Sequence, residues 1–200
     1  MERLFLEAGL SSGRSLGRAS EVVYAGPPTP ICGSSGFLLT GQAAGQGNPV
    51  LPLDSTARMA AVMLAFQASS HALAEGDLTS ESLWEYSRAM ATEWGRNQAF
   101  AWALFDALSN GGASVFDDAF TTGLMTPYAA SCLVRNRLIV EEALDRLARS
   151  LSAIRKPGAL MAWRKAHARA RRLADLYSEA PNEYRRDRVT EWHSRIVESW

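Results

Sequence analysis

The chain has 200 residues, 47% hydrophobic and 21% charged, which argues against disorder and gives enough length for one domain with its own core. Lysine plus arginine and aspartate plus glutamate each number 21, so net charge supplies no general attraction to nucleic acid or acidic lipid. From Arg155 onward there are eleven basic and six acidic residues, against ten and fifteen before it, so a basic tail follows an acidic body.

Strand character is confined to the first quarter. MERLFLEAGL, starting at Met1, has the makings of a short helix, and SSGRSLGRAS reads as a connector. EVVYAG and GFLLTG read as two short strands on either side of the turn-rich PPTPICGSS. Two short strands make a poor independent sheet, so they are expected to belong to a sheet whose other strands lie elsewhere. The strand over Gly36–Thr40 leads through the loop GQAAGQGNP to a helix expected from about Ser55 to Ala74, where Met59, Val62, Met63 and Phe66 fall at helical spacing. EGDLTSES breaks that helix. Thr79 or Ser80 then caps a second long one, which NGG stops near Asn110. After a short segment around SVFDDAF, a helix is expected from Pro127 to about Ile154, with proline suited to its first turn. KPG interrupts the chain before two further amphipathic helices, ALMAWRKAHARARRLADLY and NEYRRDRVTEWHSRIVESW. The expected fold class is α+β, mostly α: a strand-rich first part over residues 1–53 and a helical body with basic C-terminal helices over 54–200.

Cys32 and Cys132 stand a hundred positions apart, with no CxxC and no Cys/His cluster at zinc spacing. His71, His167 and His193 are scattered, and no metal site is expected. Neither a leader nor an apolar run of membrane-spanning length is readable, so the expected location is cytoplasmic, with a membrane-peripheral contact open to the basic tail. In that tail Arg164, His167, Arg171 and Arg172 lie near one side of a helix, with Leu160, Trp163, Leu173 and Leu176 available for an apolar face. The same pattern suits a helix packed on a domain.

The loop carries the chemistry. Small residues let backbone N–H groups approach a phosphate or a polyol chain, and a following helix places partial positive charge near an anion. The order strand, GQAAGQGNP, long helix, LAEGDLTSESLWEYSRAM resembles the C-terminal half of the geranylgeranyl reductase-like FAD flavoproteins, relatives of the aromatic hydroxylases. Their second flavin motif has the form GDAAGxxNPxxGxGI. Gly41, Ala43, Ala44, Gly45, Asn48 and Pro49 match it, and Gly76, Asp77 and Tyr86 match downstream. The resemblance spans roughly Met1 to Arg96 and implies that Gly41, Gln42, Ala43, Ala44, Gly45, Asn48 and Pro49 contact FAD. Gln42 stands where the family has an aspartate that accepts from ribityl hydroxyls; its amide offers an acceptor and adds donors. Leu51, Pro52, Leu53 and Asp54 replace the family's glycine-bearing turn, and the GxGxxG segment that holds the ADP half of FAD is absent.

The resemblance thus implies an FAD-contacting, substrate-side portion of an oxidoreductase acting on an isoprenoid or other apolar substrate, its nucleotide-binding half on another chain. No residue stands out as a general acid or base. Trp94, Phe100, Trp102, Phe105, Phe116, Phe120 and Tyr128 could line a tunnel for a prenyl-like chain, although aromatics at helical spacing more often form core. The alternative is a degenerate, non-enzymatic interaction module that pairs with another chain through apolar surface left by missing sheet partners. No nucleic-acid partner is expected.

Overall fold

Alanine and large apolar residues share the inner face of the stretch 96–110, and that pattern sets the centre of the molecule. The computed structural model describes residues 26–51, 56–139 and 156–200 and is mostly helical with one two-stranded sheet, an α+β arrangement weighted to α. In chain order come β1 (Gly33–Ser34), β2 (Phe37–Leu38), a 3-10 turn (Gly41–Ala44), α1 (Thr56–Glu75), α2 (Trp84–Ala89), a π turn (Met90–Gly95) and α3 (Arg96–Asn110). They are followed by α4 (Ala113–Thr121), α5 (Pro127–Val134), α6 (Pro157–Ser178) and α7 (Arg186–Val197).

α3 and α6 form the main helix pair. Ala99 and Ala103 on one, and Ala166 and Ala170 on the other, are buried, and their small side chains allow close helix approach. Phe100, Leu104, Trp163, Leu173 and Tyr177 fill the surrounding core, each worth about 1.5–3 kcal/mol relative to exposure. α7 closes one side with Val189, Trp192 and Ile196, and the Trp192 indole donates to the Leu176 carbonyl at 2.7 Å. Trp84 meets the Trp192 ring edge-on at 6.0 Å and donates to the Pro181 carbonyl at 2.8 Å, joining α2 to the C-terminal helices. The π turn passes directly over Tyr177. A Cβ on Gly95 would lie 3.1 Å from that ring, so glycine is what permits the approach. The Tyr177 hydroxyl in turn donates to the Pro28 carbonyl, fastening the chain before β1 to the helical body.

Several sequence expectations shift. β1 lies inside the segment read as a turn, paired antiparallel with β2 in the register Gly33–Leu38 and Ser34–Phe37. Gly36 at φ 70° makes the tight reversal between them. The Gly41–Pro49 loop opens with the 3-10 turn rather than with irregular chain throughout. Residues 79–83 form turns, and α2 starts only at Trp84, with no side-chain cap. α5 starts as expected at Pro127, capped by Thr126 Oγ1 accepting from the Ala129 N–H, but ends at Val134 because Asn136 takes a left-handed conformation, φ 53°. The helix expected in Met1–Leu10, the connector after it, the EVVYAG strand to Ala25, the Pro52–Ser55 stretch and the continuation to Ile154 lie outside the described residues.

The orientation of α1 is the least expected feature. Ala57, Ala61, Ala65 and Ala72 face inward, and Ala61 and Ala65 pack with Cys32, Ala44, Tyr86 and Met90 in a small second core. Met59, Val62, Met63, Phe66 and Leu73 face out, each more than half exposed. The apolar spacing that reveals this helix therefore marks its outer face. Because Ala61 is wholly buried against these side chains, Ala61→Leu should destabilise the chain by about 1–3 kcal/mol through overpacking. Met63→Gln, on the outer face, should change stability by no more than about 0.5 kcal/mol. Urea unfolding of both variants measures the contrast, and equal effects would contradict this orientation.

Candidate functional site

Two glycines in left-handed conformation, Gly41 at φ 65° and Gly45 at φ 62°, bracket the 3-10 turn and fold the loop back on itself. A side chain at either position would be strained, so the turn itself requires glycine at 41 and 45. A Cβ on Gly41 would meet nothing within 4 Å, which leaves its backbone open on one side. Ala43 is exposed; Ala44 and Gly45 are buried, and the Ala44 carbonyl accepts from the Thr29 N–H at 3.0 Å. Pro49 is half-buried at the loop's far end.

Gln46, which the sequence reading passed over, holds the loop. Its Oε1 accepts from the Gly41 N–H at 2.7 Å, and its Nε2 donates to the Tyr86 hydroxyl at 3.0 Å. Tyr86 donates onward to the Leu39 carbonyl at 2.7 Å, so one buried side chain of α2 joins β2, the loop and the helical body. Beside them the Cys32 N–H donates to Ser87 Oγ at 3.0 Å, and its thiol donates to the Thr29 carbonyl at 3.1 Å.

Asn48 holds the loop's far end. Its Nδ2 donates to the carbonyls of Leu133 and Val134 at 2.9 and 2.8 Å, tying the loop to the last turn of α5. Its Oδ1 accepts from the N–H groups of Val50 and Leu51 at 2.8 and 3.2 Å. Gln42 differs from both. Its Nε2 and Oε1 are shielded from solvent and have no hydrogen-bond partner, and they lie beside Gly47, close to the Arg58 guanidinium. Among the expected cofactor contacts, Gly41 has its N–H and carbonyl engaged within the loop, Gln42 has an unmade amide, Ala43 has an exposed methyl group, and Asn48 is fully engaged within the fold.

The aromatic residues do not form one tunnel. Phe100 is wholly buried between α3 and α6, edge-on to His167 at 5.5 Å, while Trp102 is half-buried with Arg169 5.5 Å above its ring. Phe105, Phe116 and Phe120 stack in a row that emerges at exposed Phe120, and Tyr128 is exposed. Trp94 stands apart on the π turn. Helical spacing sends these rings to different faces. The apolar side of the basic helix is likewise taken up inside: Trp163, Leu173 and Leu176 are buried and Leu160 packs on the core, while Arg164 and Arg172 point to solvent. No described helix is long and apolar enough to cross a membrane, and the described residues hold no cluster suited to a metal ion.

Burial pushes the Cys32 thiol from 9.0 up to about 12, against the lowering effect of the Gln46 bond. Burial likewise pushes the Tyr86 hydroxyl from 10.0 up to about 12, opposed by Gln46 and reinforced by the nearby thiol. Both groups are neutral when protonated and hold their protons more tightly folded than unfolded. Their contribution to stability is therefore complete below about pH 9 and is lost as pH rises towards 12. Urea midpoints should fall across that range, and Tyr86→Phe should lessen the fall while costing about 1–2 kcal/mol at neutral pH through the unsatisfied Gln46 and Leu39 groups. A midpoint independent of pH up to 11 in the wild type, inside that same window, would contradict this placement of the two side chains. Compared with known proteins, the chain matches no protein-family model, and no curated protein matches it.

Proposed function

We propose that this chain is the flavin-contacting, substrate-side half of an FAD-dependent oxidoreductase resembling geranylgeranyl reductases, and that it works joined to a nucleotide-binding half on another polypeptide. The observation that carries this reading is the outward apolar face of α1, which follows the glycine-rich loop and has no covering element among the described residues. Met59, Val62, Met63, Phe66 and Leu73 on α1 are all exposed, as are Phe37 and Leu78, and Val62, Phe66 and Leu73 border a groove of about 480 Å³ with Phe37 and Leu78. A contiguous apolar surface of this kind marks an interaction site.

The residues at the loop fit one edge of the cofactor. The Gln42 amide has its hydrogen bonds unmade beside Gly47, and its acceptor and donors suit ribityl hydroxyls or a pyrophosphate oxygen. When bound, the flavin would supply hydride transfer to an isoprenoid-like double bond. The chain's own part is positional. Gln46 and Tyr86 fix the loop from below, Asn48 anchors its far end, and the α1 face joins the other half and keeps water from the junction. Two free, buried cysteines accord with a reducing, cytoplasmic setting.

A second reading, a non-enzymatic module that pairs through the same face, is favoured by the internal engagement of Gln46 and Asn48, which leaves little of the loop for a cofactor. Flavin content separates the two. The isolated chain, titrated with FAD by calorimetry, should show no micromolar binding, which would be worth about 8 kcal/mol. Joined to the nucleotide-binding half of a geranylgeranyl reductase-like protein it should retain flavin, and Gln42→Asp should increase retention through stronger charge-assisted bonds to hydroxyls. A stable complex without flavin would establish the module reading, and micromolar binding by the isolated chain would remove the need for a second half.

A further inference from the structure

A second site lies away from the loop, where α5 ends. The Asn136 N–H donates to the Leu133 carbonyl at 3.1 Å, and the Arg137 N–H reaches back to the Cys132 carbonyl at 2.8 Å. This pair of reverse bonds closes a helix around one left-handed residue, a position usually given to glycine. Here it is Asn136, and the turn sets Arg135, Asn136 and Arg137 on one wall of a cavity of about 570 Å³. The facing wall comes from the π turn and the start of α3, with Glu93, Trp94 and Asn97. Thr56, at the beginning of the 20-residue helix α1, adds the positive end of a helix dipole to the rim.

Asn136 is 5% exposed, yet neither Nδ2 nor Oδ1 has a hydrogen-bond partner. The turn does not need that amide, since glycine would adopt the same conformation more easily. Arg135 and Arg137 are exposed, and neither forms an ion pair among the described residues. Two guanidinium groups flanking a buried, unsatisfied amide suit an oxyanion with several acceptor atoms. Glu93 alone would repel an anion, so it selects for a ligand whose other end donates hydrogen bonds. The flat ring of half-buried Trp94 offers that body an apolar wall.

We propose that this cavity binds a small phosphorylated compound with a hydroxylated body, its phosphate between Arg135 and Arg137 against the Asn136 amide and its body between Trp94 and Glu93. The volume lies within the usual range for small-molecule sites. The proposal is independent of the flavin reading, because no residue of the Gly41–Pro49 loop lines this cavity.

The test uses the full chain at low ionic strength, titrated by calorimetry with ribose 5-phosphate, ribose and inorganic phosphate. Ribose 5-phosphate should bind, inorganic phosphate more weakly, and ribose not measurably. Arg135→Ala and Arg137→Ala should each weaken ribose 5-phosphate binding about tenfold, through loss of charge-assisted bonds. Asn136→Gly keeps the turn and removes the amide, and should weaken binding about fivefold. Glu93→Gln should narrow the preference for ribose 5-phosphate over inorganic phosphate. Circular dichroism should show all four variants folded. Ribose binding as well as its phosphate, no binding of either phosphate at millimolar concentration, or unchanged affinity in Arg135→Ala and Arg137→Ala would overturn the proposal. In the last case, a lowered Tm with unchanged affinity would assign the arginines to the negative end of the α5 dipole.

Discussion

Two buried amides, Gln46 and Asn48, decide how the glycine-rich loop sits, and the arrangement around them follows. Gln46 reaches the Tyr86 hydroxyl and the Gly41 N–H, so the beginning of the loop is fixed to α2 and β2. Asn48 reaches the last carbonyls of α5, so its end is fixed to the other side of the helical body. In the buried interior such bonds are electrostatically strong, and an unmade partner would be costly, which leaves the loop little freedom to settle elsewhere. With both ends held, α1 packs against α2 and the π turn through the small second core.

That closeness explains why α1 places alanines inward. Ala57, Ala61 and Ala65 recur every fourth residue, and larger side chains at 61 and 65 would crowd Ala44, Tyr86 and Met90. The larger apolar residues of the helix then have no inner position to take. Their exposure follows from the spacing that the two amides impose, and a monomer seldom leaves so much contiguous apolar surface in water without a use for it.

Much of the fold was legible because its punctuation is local. Gly76 ends α1, Pro127 starts α5, and Pro157 and Pro181 bracket α6, all within reach of their own turns. The facing of α1 was not legible, because alanines and large apolar residues both recur at helical spacing and only the packing distance chooses between them. The end of α5 was hidden because asparagine in a left-handed conformation does the work usually done by glycine. The small residues of the loop could be read, but the roles of its amides could not. Gln46 finds Tyr86 forty positions away and Asn48 finds Leu133 eighty-five positions away, and no local pattern marks such partners. For the same reason Asn48 was expected to face a cofactor, whereas it serves a helix end, and the wall formed by Arg135, Asn136 and Arg137 gave no signal until the turn was seen.

In the proposed function, the outward face of α1 and the groove beside it are where a second polypeptide docks. The most direct measurement is oxidative footprinting of the methionines in the isolated chain at low concentration. Met59 and Met63 are 68% and 60% exposed, while Met90 and Met125, at 3% and 5%, serve as internal buried controls. Met59 and Met63 should oxidise rapidly, comparably with exposed Met161, and Met90 and Met125 slowly. Protection of Met59 and Met63 to the level of Met90 would show that the chain already covers α1 with its own residues, and would contradict the claim that this face awaits another polypeptide.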